Sequence, residues 1–233
     1  MKRFYTDVTA AENGDGTYQI QLDGKPVKTP LENVLTTPWQ PLADAVIQEW
    51  DAQEGKIDPR TMPMTQLLNV EIDMARPGKK RSEIEAEVLK FIESDLVCYE
   101  ADHPEKLRAC QLKAWEPVRQ IFEEETGVRL NVTRHISFAE QPKAIKEAGN
   151  TFVKELPPSK FTAFQALVAP LGSFLIAKAY VEGHITKDEA CEAAMVDEIY
   201  QADDWGEDEE VVSKREALKK ELASVGRYLE LSQ

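Results

Sequence analysis

The densest group of side chains able to do chemistry lies in residues 196–210, which read VDEIYQADDWGEDEE. Eight of these residues are Asp or Glu, and none is Lys, Arg or His. Paired carboxylates can act in acid and base catalysis or bind divalent cations. Clustered carboxylates can also attract a basic partner protein. The segment therefore leaves two kinds of function open, that of an enzyme and that of a binding protein.

The negative charge of the chain is concentrated around this segment. The 233 residues carry a net charge of −14, and residues 181–210 supply −11 of it through twelve acids and one base. A chain without a basic field is repelled by phosphate backbones and by anionic lipid. We therefore expect no nucleic acid partner and no membrane insertion, and the local excess of acid needs a local explanation.

Sequence signatures of common enzymes are missing. No GxxxxGK[ST] frame is present to cradle the phosphates of ATP, and no GxSxG or HExxH motif occurs. The three histidines are far apart in the sequence, whereas a zinc site needs several ligands that converge. We expect no catalytic residue, no metal and no cofactor. The enzyme hypothesis that remains is a carboxylate-based divalent-metal hydrolase that uses Asp203, Asp204 and Glu207.

A helix is predicted over residues 187–205, and it carries seven of the twelve acids of residues 181–210. Thr186 and Glu189 form a capping box at its start, and Gly206 suits the left-handed position that ends a helix. Glu198 falls within the apolar stripe of this helix. Its carboxylate is then paired with a cation or a donor, lies at an open groove, or sits at the rim of the core with its head in water.

The acids at the far end of this helix are unusual for their position. The helix macrodipole favours cations at a C-terminus, yet Asp203, Asp204 and Glu207 lie there beside Trp205. Repulsion that is tolerated next to an aromatic residue indicates a binding surface for a basic or donor-rich partner.

The rest of the chain predicts an α+β fold. Tyr18, Ile20 and Leu22 alternate with polar residues between two Asp-Gly turns, which is typical of an antiparallel meander. Beyond the ARPGKKR boundary the apolar period is 3.6, apart from a possible short strand at residues 128–138. We predict a small β-rich N-terminal domain with one or two helices (residues 1–75) and a larger all-α domain (residues 76–233). Predicted helices of the second domain cover residues 82–97, 104–126, 141–156, 161–181, 187–205 and 213–231.

The apolar stretch at residues 161–181 has nearly the length of a membrane span. A Pro-Leu-Gly break at residues 170–172 and the charge of Lys178 instead predict a buried helix or helix pair. The opening MKRFYTDV has neither an apolar core nor a presequence-like composition, so we expect a cytoplasmic location.

Several segments in one order resemble the ATP12 family, whose members are assembly chaperones for the F1 part of ATP synthase. The segments are RFYTDV, LDGKPVKTP, LADAVIQEWDAQEGKIDP, TMPMTQL, ESDLVCY, the pair Trp115 and Pro117, GSFLIAKAYVEGHIT and DEIYQADDWGEDEE. The resemblance covers nearly the whole chain.

The resemblance implies a function and a set of contact residues. The implied function is ATP-independent binding of the unassembled F1 α subunit, which prevents its aggregation until the β subunit replaces the chaperone. A stable structural adaptor is the other non-enzymatic alternative. The partner-binding residues implied by the resemblance are Glu198, Gln201, Trp205, Gly206, Glu207 and Glu209 in the acidic segment, with Trp50 and Asp51 in the EWD sequence.

The sequence departs from the family pattern in one place. Eukaryotic members resemble WGxxEWxHD after this helix, whereas this chain reads WGEDEEVVSKR, so a second Trp and a His-Asp pair are missing. Glu209 still matches the Glu of the pattern. The variant resembles bacterial members, which implies a bacterial cytoplasm.

Overall fold

The computed structural model describes residues 1–135, 137–206 and 209–233, with residues 204 and 205 described by their backbone alone. The strands are β1 (Val8–Glu12), β2 (Tyr18–Leu22), β3 (Lys25–Pro26) and β4 (Thr36–Thr37). The α-helices are α1 (Gln40–Asp51), α2 (Pro63–Val70), α3 (Lys79–Glu93), α4 (Glu105–Thr126), α5 (Lys143–Glu155), α6 (Pro158–Leu171), α7 (Phe174–Val181), α8 (Lys187–Ala194), α9 (Val196–Trp205) and α10 (Glu209–Leu231). A π-helical segment, Glu71–Ala75, continues α2. The predicted α+β class, with a small antiparallel sheet followed by helices, is confirmed.

The sheet is built around β2. This strand pairs antiparallel with β1, β3 and β4, and it buries Ile20 and Leu22. The turn from β2 to β3 consists of Asp23 and Gly24, both at positive φ (49° and 73°). Two consecutive positive φ values are what a tight hairpin turn requires, and Asp-Gly is a favoured pair for it. The predicted meander therefore follows from two features together, the alternation of apolar and polar residues in β2 and the Asp-Gly turn after it.

The first compact unit joins three parts of the sequence: Met1–Arg81, Pro157–Ala163 and Ser224–Gln233. Its core combines Ile20 and Leu35 with Leu42, Leu68 and Tyr228, all fully buried. The phenol of Tyr228 donates a hydrogen bond to Glu71, which is itself buried. The C-terminal residues are therefore part of this core, although they lie some 150 positions from the π-helical segment in the sequence. The division into two domains at residues 1–75 and 76–233 stays a prediction.

The second compact unit contains Ser82–Leu156 and Phe164–Ala223. Phe152, Phe164 and Phe174 pack edge to face in its core, with ring centroids 4.9 to 5.9 Å apart. Helix α5 approaches α3 closely at Gly149, where a Cβ atom would lie 2.6 Å from Cδ1 of Ile92. The terminal methyl group of Ile92 would have to shift to admit a side chain at this position, so the glycine permits the close approach seen here.

The buried carboxylate of Asp95 accepts hydrogen bonds at the starts of two helices in this unit, α7 and the short 3-10 helix Leu96–Cys98. Asp95 accepts hydrogen bonds from the hydroxyl of Ser173 (2.6 Å), the amide of Leu175 (3.0 Å) and the amide of Val97 (3.3 Å). Ser173 in turn caps α7 by accepting from the amide of Ile176. The helix N-termini supply these amides because their first N–H groups have no intrahelical partner. The ESDLVCY and GSFLIAKAYVEGHIT segments of the resemblance therefore meet at Asp95.

Two helix predictions have different outcomes. Residues 161–181 form a helix pair, α6 and α7, separated by Gly172 at φ 63°, as predicted. The single helix predicted over residues 187–205 is wrong, because the structure divides it into α8 and α9 at Met195. Within residues 128–138, except residue 136, the predicted strand is reduced to one bridge between Tyr99 and Thr133.

Among the helices described, none has both the length and the apolar character needed to cross a membrane.

Candidate partner-binding site

Helix α8 leads into the acidic segment and begins at a complete capping box. The hydroxyl of Thr186 accepts from the amide of Glu189 (3.2 Å), and the carboxylate of Glu189 accepts from the amide of Thr186 (2.7 Å). These bonds to Thr186 lower the pKa of the Glu189 carboxyl. The start of the helix is therefore fixed locally, as the sequence predicted.

Helix α4 positions the junction between α8 and α9. The indole N–H of Trp115 donates to the carbonyl of Ala193 (2.7 Å), in the last turn of α8, where carbonyls lack an intrahelical donor. Gln111 donates to the carboxylate of Asp197 (2.7 Å) in the first turn of α9 and accepts from the amide of Ala101. Both Trp115 and Gln111 are buried, so α9 is anchored to the core of the second unit.

Glu198 is paired with a cation. Its carboxylate lies 2.5 Å from Nζ of Lys214 on α10, and its side chain is 30% exposed. The carboxylate therefore combines two of the arrangements considered for this residue, because it is paired with a cation and lies at the rim of the core. A partly exposed pair of this kind contributes about 1 kcal/mol or less to stability.

Helix α9 carries exposed polar residues and a half-buried apolar residue. Gln201 and Asp203 are exposed, and Ile199 is half-buried. Within the described part of the chain, Asp203 makes no hydrogen bond or ion pair. The helix ends at Gly206, whose φ of 94° and ψ of 152° suit glycine, and whose amide donates to the carbonyl of Ala202 (2.8 Å). This positive φ ends the helix as expected, but with an extended ψ instead of the left-handed one.

The remaining predicted residues of the acidic segment divide into three cases. For Trp205 the backbone position at the last turn of α9 is described. Glu207 lies outside the described residues. Glu209 is exposed in the first turn of α10, where the macrodipole favours an acid. Glu209 therefore has a structural reason for being acidic. Among the acids whose side chains are described in this segment, only Asp203 lies at a helix C-terminus, where the macrodipole disfavours a negative charge.

Trp50 and Asp51 belong to the first unit, where they contact the start of the chain. The guanidinium of Arg3 donates to the carbonyl of Asp51 (2.8 Å) and pairs with its carboxylate (3.3 Å). The ring of Tyr5 lies edge to face with that of Trp50, and its hydroxyl donates to the Trp50 carbonyl (2.6 Å). These contacts explain the EWD and RFYTDV segments by packing. The indole N–H of Trp50 is buried without a hydrogen-bond partner among the described residues.

A cluster of titratable groups lies elsewhere in the second unit. Glu125, Glu182 and His184 offer ligand atoms within 4.8 Å of one another. The ammonium group of Lys178 already bridges the two carboxylates, at 2.5 Å from Glu125. A metal ion at this position would have to compete with that ammonium group. The convergence of His184 on two glutamates depends on the fold and has no counterpart in sequence spacing.

Comparison with known proteins places the chain in a family. The model of the ATP12 chaperone protein family matches residues 2–123, more than half of the chain. The protein therefore belongs to the ATP12 chaperone protein family. The role that the family resemblance implies for it is ATP synthase assembly.

Individual relatives agree with this assignment. The chain is 26% identical to mitochondrial protein atp12 of Schizosaccharomyces pombe, over 96% of this chain and 80% of that protein. It is similar in structure to Atp12 from Paracoccus denitrificans, with a TM-score of 0.90 and 28% identity over 100% of this chain and 98% of the other. It is also similar to the Atu1473 protein from Agrobacterium tumefaciens, with a TM-score of 0.89 and 34% identity over 100% and 86% of the two chains.

Proposed function

We propose that this protein is an ATP-independent assembly chaperone that binds the unassembled α subunit of F1-ATPase in a bacterial cytoplasm. The bound α subunit is protected from aggregation until the β subunit displaces the chaperone. Family membership supports the class of function. The observation that carries the contact surface is one face of the anchored helix α9, where exposed Asp203 lies one turn beyond half-buried Ile199.

The proposed mechanism is passive. A subunit that has not met its neighbours exposes apolar surface, and such surface aggregates. An apolar contact on the chaperone covers this surface, while the carboxylates around α9 select basic groups and raise the encounter rate more than the affinity. Release without ATP requires moderate binding, about micromolar or roughly −8 kcal/mol. We propose no catalytic step.

Co-expression with the cognate α subunit tests the function. We expect more soluble α subunit in the presence of the protein and a complex that co-purifies. Equal aggregation with and without the protein would contradict the proposal. Finding the protein in stoichiometric amounts in finished ATP synthase would instead support the structural adaptor.

Charge reversal tests the acidic contact. Glu209→Lys and Glu207→Lys are expected to reduce the amount of co-purified α subunit. Glu209 is exposed, and substitutions at exposed positions usually change stability by about 0.5 kcal/mol or less, so Glu209→Lys is expected to stay folded. Glu12→Lys, at an exposed position of β1, gives the same charge change in the first unit. The Glu12→Lys control is expected to recover as much α subunit as the wild type does. Wild-type recovery with all three variants would show that the acidic segment is not part of the contact. Calorimetry with Mg²⁺, Mn²⁺ and Ca²⁺ tests the hydrolase alternative, for which a specific site is required.

A further inference from the structure

A groove of about 400 Å³ lies in the second unit, between the C-terminal part of α4, helix α5 and the end of α7. It is separate from α9. The buried side chains of Phe122 and Lys178 and the half-buried Phe152 and Val128 form its interior. The groove is open to solvent along α5, where Ala144 and Thr151 are exposed.

Helix α5 has two faces of low polarity. One face, with Ile145, Gly149 and Val153, is buried against the core, where Gly149 lies close to Ile92. The other face repeats small side chains at i, i+4 and i+7, namely Ala144, Ala148 and Thr151, and it lines the groove. Residues at this spacing lie on one side of a helix. On this second face Ala144 and Thr151 are exposed and Ala148 is half-buried, and their small side chains allow another backbone to approach.

The polar groups of the groove have a defined charge arrangement. Lys178, the one cation among the described lining residues, is 5% exposed and is paired with Glu125 and Glu182. Its Nζ lies 4.8 Å from the centroid of the Phe152 ring. The carboxylates of Glu125, Glu155 and Glu182 are at the solvent side of the groove. Three carboxylates against one ammonium group leave the groove negative, with its cation already neutralised. An acidic guest would be repelled, and a guest with cationic side chains would be attracted.

We propose that this groove binds an amphipathic helix of the client that presents small apolar residues to α5 and Lys or Arg to the glutamates. Rows of side chains at i and i+4 on one helix accept the corresponding ridges of another, which favours a helical guest over an extended one. The thirteen residues of α5 span about 20 Å, so a guest of about three turns fits along it. The inference rests on the proposed function and adds a second contact surface, distinct from α9.

Filling the groove tests the apolar contact. Ala148→Trp places a large side chain on the small face, and capture of co-expressed α subunit is expected to fall about tenfold, the loss typical of a blocked central contact. Gln120→Trp on the exposed side of α4 is the matched control, and it is expected to capture α subunit as the wild type does. Circular dichroism and thermal unfolding verify that both variants are folded.

Reversing one rim charge tests the charge arrangement without risk to folding. Glu155 is exposed at the C-terminus of α5, where a cation is favoured by the macrodipole, so Glu155→Lys is expected to keep or raise the thermal stability. The same substitution is expected to weaken capture of α subunit severalfold. Unchanged capture by both Glu155→Lys and Ala148→Trp would overturn the inference, while α capture by the wild type would still support the proposed function.

A photocrosslinker at Thr151 identifies the occupant. We expect a crosslink to a helical segment of the α subunit with several Lys or Arg residues and few acids. A crosslink to an acidic or extended segment, a crosslink to a second copy of this chain, or none while α subunit is captured would overturn the inference. If the wild type captures no α subunit at all, both the function and the groove proposal fail.

Discussion

The acidic segment and the EWD sequence are both marked for partner binding by the resemblance, but their polar atoms have different surroundings. Asp51 and the carbonyl of Trp50 are bonded to Arg3 and Tyr5 of the same unit. Asp203 makes no such contact among the described residues, and Gln201 on the same helix is exposed. A motif residue with internal partners is explained by the fold. A motif residue exposed on an anchored helix still needs an external explanation.

This difference predicts two classes of variant. Substitutions at internally bonded groups lower stability, and they affect client binding only through the loss of folded protein. Substitutions at exposed acids leave stability almost unchanged, and they affect binding directly.

The largest expected effect is at Asp95. Asp95→Ala removes the acceptor for one hydroxyl and two amides, all of them buried, and leaves them without partners. Each unsatisfied buried group costs about 1–3 kcal/mol, so we expect a loss of about 3–5 kcal/mol in the free energy of unfolding. Urea denaturation measures it. A loss below about 1 kcal/mol would show that water or a rearranged loop replaces the carboxylate.

The same residue is expected to give a pH dependence. Burial raises the pKa of Asp95 from 3.8 to about 6, with the bonds from Ser173 and Leu175 opposing the shift. Because the folded-state pKa is the higher one, the folded state holds this proton more tightly, and the contribution of the group to stability falls as pH rises from about 4 to about 6. The stability of the wild type relative to Asp95→Asn is expected to decline by about 3 kcal/mol across this range. A difference in the free energy of unfolding between wild type and Asp95→Asn that stays constant from pH 4 to pH 6 would refute the raised pKa of Asp95.

Local and long-range features differ in how well the sequence predicts them. The capping box at Thr186 and the Asp-Gly turn at residue 23 were predicted because all their interacting atoms lie within a few residues. The bond between Asp95 and Ser173 joins residues 78 positions apart, and the same separation divides Trp115 from Ala193 at the α8 to α9 break. No periodic pattern in the sequence predicts either of these two hydrogen bonds. In the candidate site, charge and exposure at Asp203 follow from the sequence, whereas the pairing of Glu198 with Lys214 required the fold.

The next largest effect on stability is expected at Tyr228, whose phenol joins the C-terminal residues to the rest of the first unit. Tyr228→Phe removes the donor to the buried carboxyl of Glu71, whose pKa burial already raises. We expect a loss of about 2 kcal/mol in the free energy of unfolding. Tyr180→Phe is the control, since that phenol donates to a neutral carbonyl, that of Leu222, and its loss costs about 1 kcal/mol. Equal losses for the two variants would show that the charge of Glu71 does not matter.

Variants of Arg3 and Asp51, which pair with each other, distinguish a structural role of the EWD sequence from a role in client binding. Arg3→Lys loses the fork that reaches the carbonyls of Asp51 and Gln53, and we expect a loss of about 1 kcal/mol. Asp51→Asn removes a pair in which the carboxylate is 69% exposed, so its cost is about 0.5 kcal/mol or less. If Asp51 also contacts the client, as the resemblance implies, Asp51→Asn reduces α capture despite this small cost. Normal capture by this variant would make Asp51 purely structural.

The smallest effects on stability come from the exposed acids, and their signs differ. Asp203 lies near the C-terminus of α9 and Glu209 in the first turn of α10, so the macrodipole predicts a gain for Asp203→Lys and a loss for Glu209→Lys, each about 0.3–0.5 kcal/mol at these exposed positions. Client binding is expected to fall in both variants, because each reverses a charge of the proposed contact. Thermal unfolding and α capture, measured on the same preparations, therefore change in opposite directions for Asp203→Lys. A variant that is more stable and still captures α subunit normally would show that the acid at Asp203 serves neither the fold nor the client.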